Sequence, residues 1–180
     1  MRARTKKLAE LAILAALYAA LTMALAPLSF GPVQARFSEA LCILPFFIPE
    51  TCWSLFAGCL IANIMTGNLF DVVFGAAATL AAGALTALIG RRCRNKKNFA
   101  ANILACAMPV LINAVVIGAV ITYAYNGMHP FTHPKVFALY GLQIAAGESI
   151  VMFGIGLPLL RWLPEKPFFQ QWIAGWRKPE

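Results

Sequence analysis

Charge is what this sequence has least of. Only 12% of its 180 residues are Asp, Glu, Lys or Arg, and just seven are acidic, against about 25% charged residues in an ordinary soluble domain. So few charges cannot cover a water-facing surface. The G-x-x-x-x-G-K-[ST] loop that cradles nucleotide phosphates is absent as well, so the chain does not hydrolyse ATP by itself. Nor is there a G-x-S-x-G elbow or a dense His/Asp/Glu cluster of the kind an intramembrane hydrolase uses, and binding or transport is favoured over catalysis. No C-x-x-C occurs. The five cysteines, Cys42, Cys52, Cys59, Cys93 and Cys106, sit mostly within hydrophobic segments, where a thiol packs as a small apolar group; they are expected to be reduced and structural.

In place of charge there is hydrocarbon: 61% hydrophobic residues and a mean hydropathy of +0.73. The net charge of +8 comes from fifteen Lys and Arg, and only Arg36 and Lys135 lie outside the N-terminus, the segment Arg91 to Lys97 and the stretch after Leu160. Basic residues collect in the cytoplasmic loops of membrane proteins, so this clustering reports topology rather than a nucleic-acid partner. The stretch Leu8 to Ala26 is long for a signal peptide and is read as a retained first span.

A helix needs about 20 apolar residues to cross a bilayer. Four stretches meet this plainly, at 8–26, 69–90, 99–125 and 136–160. The region 38–66 is interrupted by Pro45, Pro49 and Glu50. A single crossing there would place MRARTKK and RRCRNKK on opposite sides of the membrane, so two short helices, 38–48 and 50–66, are expected. The reading is an all-α membrane protein, one domain over 1–180, with six transmembrane helices and both termini cytoplasmic. An aromatic and basic tail, 161–180, suits the headgroup boundary. The short second helix cannot cover the bilayer core alone, which implies a cavity near the outer face.

Ionisable residues within spans mark binding sites or pathways. Glu39 and Asp71 fall at the outer ends of their helices, and Glu148 falls in mid-membrane. Arg36 is the nearest counter-charge, and an Arg36–Glu39 pair with Ser38 as N-cap would be its bland explanation. For Glu148 the corresponding alternative is hydrogen bonding to Asn113 or Gln143 as packing glue; for Asp71 it is a helix N-cap after the Gly67-Asn68 turn. Asn63, Asn68, Asn113 and Gln143 add amides, and Phe37, Phe70, Tyr125 and Tyr140 add flat faces. Carboxylates, amides and aromatics together suit a small, planar, nitrogen-rich solute that is neutral or cationic.

His129 and His133 have H-x-x-x-H spacing, but Pro130 and Pro134 argue against the regular helix a metal site would need, and a loop lid is the better reading. Alanines four apart on the first helix, Ala12 and Ala16 among them, form a smooth groove for a close helix partner or for internal packing.

GPVQARFSEALCILPFF (31–47), GCLIANIMTGNLFDVVFGAAATLAA (58–82) and AAGESIVMFGIGLPL (145–159) resemble the QueT family. Its members are substrate-binding S-components of energy-coupling-factor (ECF) transporters, thought to import queuosine precursors. The first helix is similar to the A-x-x-x-A element by which S-components dock, and here Ala12 and Ala16 match it. The resemblance implies an S-component bundle in the bacterial cytoplasmic membrane, without cofactor. It would capture a 7-deazaguanine such as preQ1, preQ0 or queuine and topple against a transmembrane coupling subunit driven by two ATPases. Substrate-binding candidates are then Arg36, Glu39, Asn63, Asn68, Asp71, Asn113, Tyr140, Gln143 and Glu148. Glu148 is assigned to the base edge or the cation, with Glu39 and Asp71 sharing the other role. The alternatives are an S-component for another vitamin or amino acid such as tryptophan, and a solitary ion-coupled carrier.

Overall fold

A computed structural model describes residues 2–30, 34–65, 67–93 and 98–177, and within them every regular element is a helix. Residues 31–33 and Thr66, which fall between expected spans, and parts of the basic segments (94–97 and 178–180) lie outside the described residues. Four helices are long and apolar enough to cross a membrane, Arg4–Ala24, Asp71–Arg92, Phe99–Tyr125 and Pro134–Glu165, and two shorter apolar helices, Phe37–Phe46 and Thr51–Ile64, fill the divided region. The long elements are labelled α1 (Arg2–Ala24), α2 (Thr51–Ile64), α3 (Asp71–Arg92), α4 (Phe99–Tyr125), α5 (Pro134–Glu165) and α6 (Pro167–Arg177).

Phe37–Phe46 is a ten-residue 3-10 helix, unusually long for that geometry. Its side chains at i and i+3 eclipse, so Glu39, Cys42 and Pro45 fall in one row, with Arg36 at the N-cap just before it. Pro45 lacks the N–H that an α-helical continuation would use. Eight of the ten residues are buried, so the segment is the axis around which the other helices pack. At about 2 Å per residue it extends roughly 20 Å, short of a ~30 Å hydrocarbon core.

Glycines let the backbones close on this axis. A Cβ at Gly90 of α3 would collide with the Phe46 carbonyl. One at Gly58 of α2 would lie 2.6 Å from the Ala15 carbonyl oxygen, and one at Gly118 of α4 would lie 3.0 Å from Gly141 Cα on α5. Each contact holds two helices at backbone separation, which a larger residue would force apart.

One end of the bundle gathers Lys7, Arg91, Arg161, Lys166 and Arg177. Here α6 lies across the end of α1: Phe169 is buried edge-on to Phe47 at 5.2 Å, and the indole N–H groups of Trp172 and Trp176 both donate to Glu10 Oε2 at 2.7 Å. The 3-10 helix runs into this basic end, and α2 returns from it to the opposite end, where Asn63 meets Asp71. On α1, Ala15 and Ala19 are buried against the bundle, whereas Ala9, Ala12, Ala16 and Ala20 face outward with Ile13 and Leu17. Internal packing therefore does not account for Ala12 and Ala16.

Three of the helices contain a π turn, at Asp71–Gly75, Ile121–Tyr125 and Met152–Gly156. Such turns widen a helix locally and are concentrated at functional sites. The first two lie at the end opposite the basic residues.

Candidate functional site

The period-three row of the 3-10 helix places Glu39 at the centre of the bundle, wholly buried. Its Oε1 accepts from the Tyr18 hydroxyl and, at 3.2 Å, from Thr79 Oγ1; its Oε2 accepts from the Cys42 thiol at 2.8 Å. Both oxygens are thus occupied by the protein. Thr79 also reaches Cys59 Sγ at 3.3 Å, and Asn63 Nδ2 donates to the same sulfur at 3.4 Å. Ser38 does not cap the helix; its hydroxyl lies 2.6 Å from Thr22 Oγ1.

Arg36 is 2% exposed and forms no ion pair among the described residues. Its Nε donates to the Ser29 carbonyl at 3.3 Å, its Nη1 points at Cys59 Sγ, and the Phe30 ring centroid lies 5.4 Å from its central carbon. The Arg36–Glu39 pair considered from spacing is not made: Arg36 stands at the N-cap with extended backbone, outside the helical row, and its guanidinium turns to Ser29 and Cys59 while the Glu39 carboxylate turns to Tyr18 and Thr79. Nη2 of Arg36 is buried without a partner.

Across α4 and α5, Asn113 Nδ2 donates to Glu148 Oε1 at 3.2 Å. The remaining oxygen of each residue, Glu148 Oε2 and Asn113 Oδ1, is buried and unpartnered, as is Gln143 Oε1. Packing glue explains one hydrogen bond of the Asn113–Glu148 pair and leaves its other two oxygens unexplained, since a buried polar atom normally finds a partner.

An open cavity of about 720 Å³ occupies the end of the bundle away from the basic residues, and Phe30, Gln34, Asp71, Tyr125 and Tyr140 line it. Asp71 sits in the π turn of α3 and is not an N-cap. Asn68 performs the local bonding there, accepting from the Phe70 amide at 2.9 Å just after Gly67, whose φ of +70° is a left-handed turn position. The Tyr125 hydroxyl, from the π turn of α4, donates to Asp71 Oδ2 at 2.6 Å, and Oδ1 is unpartnered. Tyr140 donates to Asn126 Oδ1 at 3.3 Å on the same wall.

The pattern of the QueT transporter family matches residues 8–165, from the start of α1 through the last turn of α5, and so takes in every residue just described. The chain belongs to the QueT transporter family. The family is described as one of transporters. A relative from Lactococcus lactis subsp. cremoris (strain MG1363), described as queuosine precursor transporter QueT, is 37% identical over 81 residues, which cover 44% of this chain and 48% of that protein. The chain thus matches about half the length of this curated relative. No solved structure matches it.

Among the residues singled out from sequence in this QueT-family chain, three groups emerge. Arg36, Glu39 and Asn63 surround Cys59 and the centre of the bundle; Asn113 and Glu148 bind each other; Asp71 and Tyr140 line the cavity. Gln143 lies a little over a turn before Glu148 on α5, and Asn68 braces its own turn and also hydrogen-bonds Tyr125 beside Asp71. Tyr18, Thr79 and Cys59, which complete the Glu39 network, were not singled out. Each reads as a neutral span residue, and only its position opposite Glu39 gives it a role. Glu10 was also overlooked, because its partners lie at the far end of the chain. The two imidazoles of the last loop have separate surroundings: His129 lies between the rings of Tyr123 and Phe131, and His133 contacts Thr132.

Proposed function

We propose that this chain is the substrate-binding S-component of an ECF-type importer and that its substrate is a queuosine precursor, a 7-deazaguanine. The observation that carries the reading is that three buried polar atoms of the bundle lack a partner, Glu148 Oε2 and Asn113 Oδ1 between α4 and α5 and Arg36 Nη2 beside α2. Each costs about 2–7 kcal/mol in apolar surroundings unless a ligand satisfies it. Two acceptors and one donor complement the pairing edge of a guanine-like base, whose N1–H and 2-amino group donate and whose C6 carbonyl accepts. A charge-assisted bond of this kind is worth about 1.5–3 kcal/mol. Glu39, with both oxygens held by protein donors, anchors the 3-10 helix and positions Arg36. The name of the Lactococcus relative supports the same ligand class.

In this reading the six apolar helices cross a bacterial cytoplasmic membrane with both termini inside. Support comes from the basic residues gathered at one end of the bundle and from the opposed directions of the 3-10 helix and α2. The cavity then opens outward. The outward-facing alanines of α1 offer a smooth surface for a coupling subunit, and through it for two ATPases, against which the loaded protein reorients to release substrate inside.

Calorimetric titration of the purified, detergent-solubilised chain with preQ1, preQ0 and queuine, with guanine and tryptophan as controls, tests the proposal. The expected result is sub-micromolar binding of one deazaguanine, weakened about tenfold or more in Glu148→Gln. Binding of tryptophan in preference to every deazaguanine, or of none of them by folded protein, would refute the substrate assignment.

A further inference from the structure

We propose that Asp71, with Tyr125, forms a site for a primary ammonium group at the mouth of the cavity, so that the transporter selects precursors carrying an aminomethyl arm. The inference rests on the deazaguanine reading above and assigns the part of the ligand that the base-edge groups leave unrecognised.

The three acids of the bundle have different surroundings. Glu39 is consumed by Tyr18, Thr79 and Cys42. Glu148 is joined to Asn113 between α4 and α5. Asp71 alone of the three lines the 720 Å³ cavity. It is 4% exposed, its Oδ2 is fixed by the Tyr125 hydroxyl at 2.6 Å, and its Oδ1 has no partner. No basic side chain pairs with it among the described residues. Arg36 is held by Ser29, Cys59 and the Phe30 ring. The other polar groups on the wall, Gln34, Asn126 and Tyr140, are neutral.

A buried carboxylate without a counter-ion is a strong acceptor for a ligand cation, because the ligand then supplies the charge that the fold omits. The electron-rich faces of Tyr125 and Tyr140 favour the same sign of charge. A substituent with no donor, such as a nitrile, would leave Oδ1 unpaired, and an uncharged hydroxymethyl would give it only a neutral hydrogen bond, about half as strong as one from an ammonium. The two π turns make the placement possible, since they bring Asp71 and Tyr125 to the same rim.

The test compares three ligands that share one base: 7-aminomethyl-, 7-hydroxymethyl- and 7-cyano-7-deazaguanine, titrated against the intact protein and against Asp71→Asn. Wild-type protein is expected to bind the amine about 10- to 100-fold more tightly than the uncharged hydroxymethyl analogue of equal size, and Asp71→Asn to reduce that ratio to near one. The ratio is the readout, so partial loss of folded variant does not disturb it, and the wild-type comparison stands alone if the variant does not fold. Equal binding of all three ligands by wild type, or a ratio that survives Asp71→Asn, would overturn the ammonium site and leave the base-edge reading intact. Failure of all three to bind would overturn the deazaguanine reading, and this inference with it.

Discussion

Replacing Gly58 by Ala should loosen the joint between α1 and α2 by an amount that the contact geometry sets. The added Cβ would lie 2.6 Å from the Ala15 carbonyl oxygen and 2.8 Å from Tyr18 Cβ, whereas unstrained contacts between carbon atoms fall at about 3.5–4.0 Å. Both atoms belong to or adjoin the α1 backbone, so no side-chain rotation relieves the overlap. Overpacking of this kind costs about 1–3 kcal/mol, and a rigid neighbour puts the cost near the upper figure. Against it stands the gain of up to about 1 kcal/mol from replacing a helical glycine by alanine, leaving a net loss of about 2 kcal/mol. Gly175→Ala in α6 is the control: nothing lies within 4 Å of its added Cβ, and only the gain applies. Denaturant unfolding in detergent micelles, followed by circular dichroism, should separate the two variants by about 3 kcal/mol. Gly58→Ala as stable as wild type, or within about 1 kcal/mol of the control, would refute the close-contact argument.

Glu39→Gln should destabilise the protein by about 2–3 kcal/mol, since Tyr18, Thr79 and Cys42 lose a charged acceptor; thermal unfolding is the measure. Glu148→Gln, which replaces a buried carboxyl that has one unpartnered oxygen, should leave the ligand-free protein at least as stable as wild type in the same assay. Trp172→Phe and Trp176→Phe each remove one indole bond to Glu10 and should raise hydrogen exchange across Pro167–Arg177, with the double variant exchanging fastest. Ala12→Trp and Ala16→Trp should abolish transport in cells while shifting stability by less than about 0.5 kcal/mol and leaving ligand binding unchanged, because both positions face outward.

The helices that depend on run length were legible in the sequence, and so was the break of 38–66 into two short elements, which followed from the even parity demanded by two basic segments. The geometry of the first short element was not. In FSEALCILPF only Pro45 speaks against an α-helix, and the rest of the choice is made by neighbours: the close approach of Gly90 and the donors that Glu39 requires act only once the bundle exists. Spacing along the chain likewise proposed Arg36 and Glu39 as a pair, while in the fold each turns to a different helix. The acids at Glu39, Asp71 and Glu148 stood out because charge inside an apolar run is costly. Their neutral partners Tyr18, Thr79 and Tyr125 could not be recognised as such without the contacts. Glu10 met its indoles across more than 160 residues, a separation that no local pattern encodes.

A π turn is one residue more than an α turn requires, taken up without unwinding the helix. Residues on either side of Asp71–Gly75 or Ile121–Tyr125 are therefore out of phase by about a third of a revolution relative to a regular helix. Deleting a single residue there would restore regular winding and present a different side chain to the cavity while both helix ends stay in place. The mouth of this cavity can thus be retuned by chain length, one residue at a time, with the packed centre of the bundle left as it is.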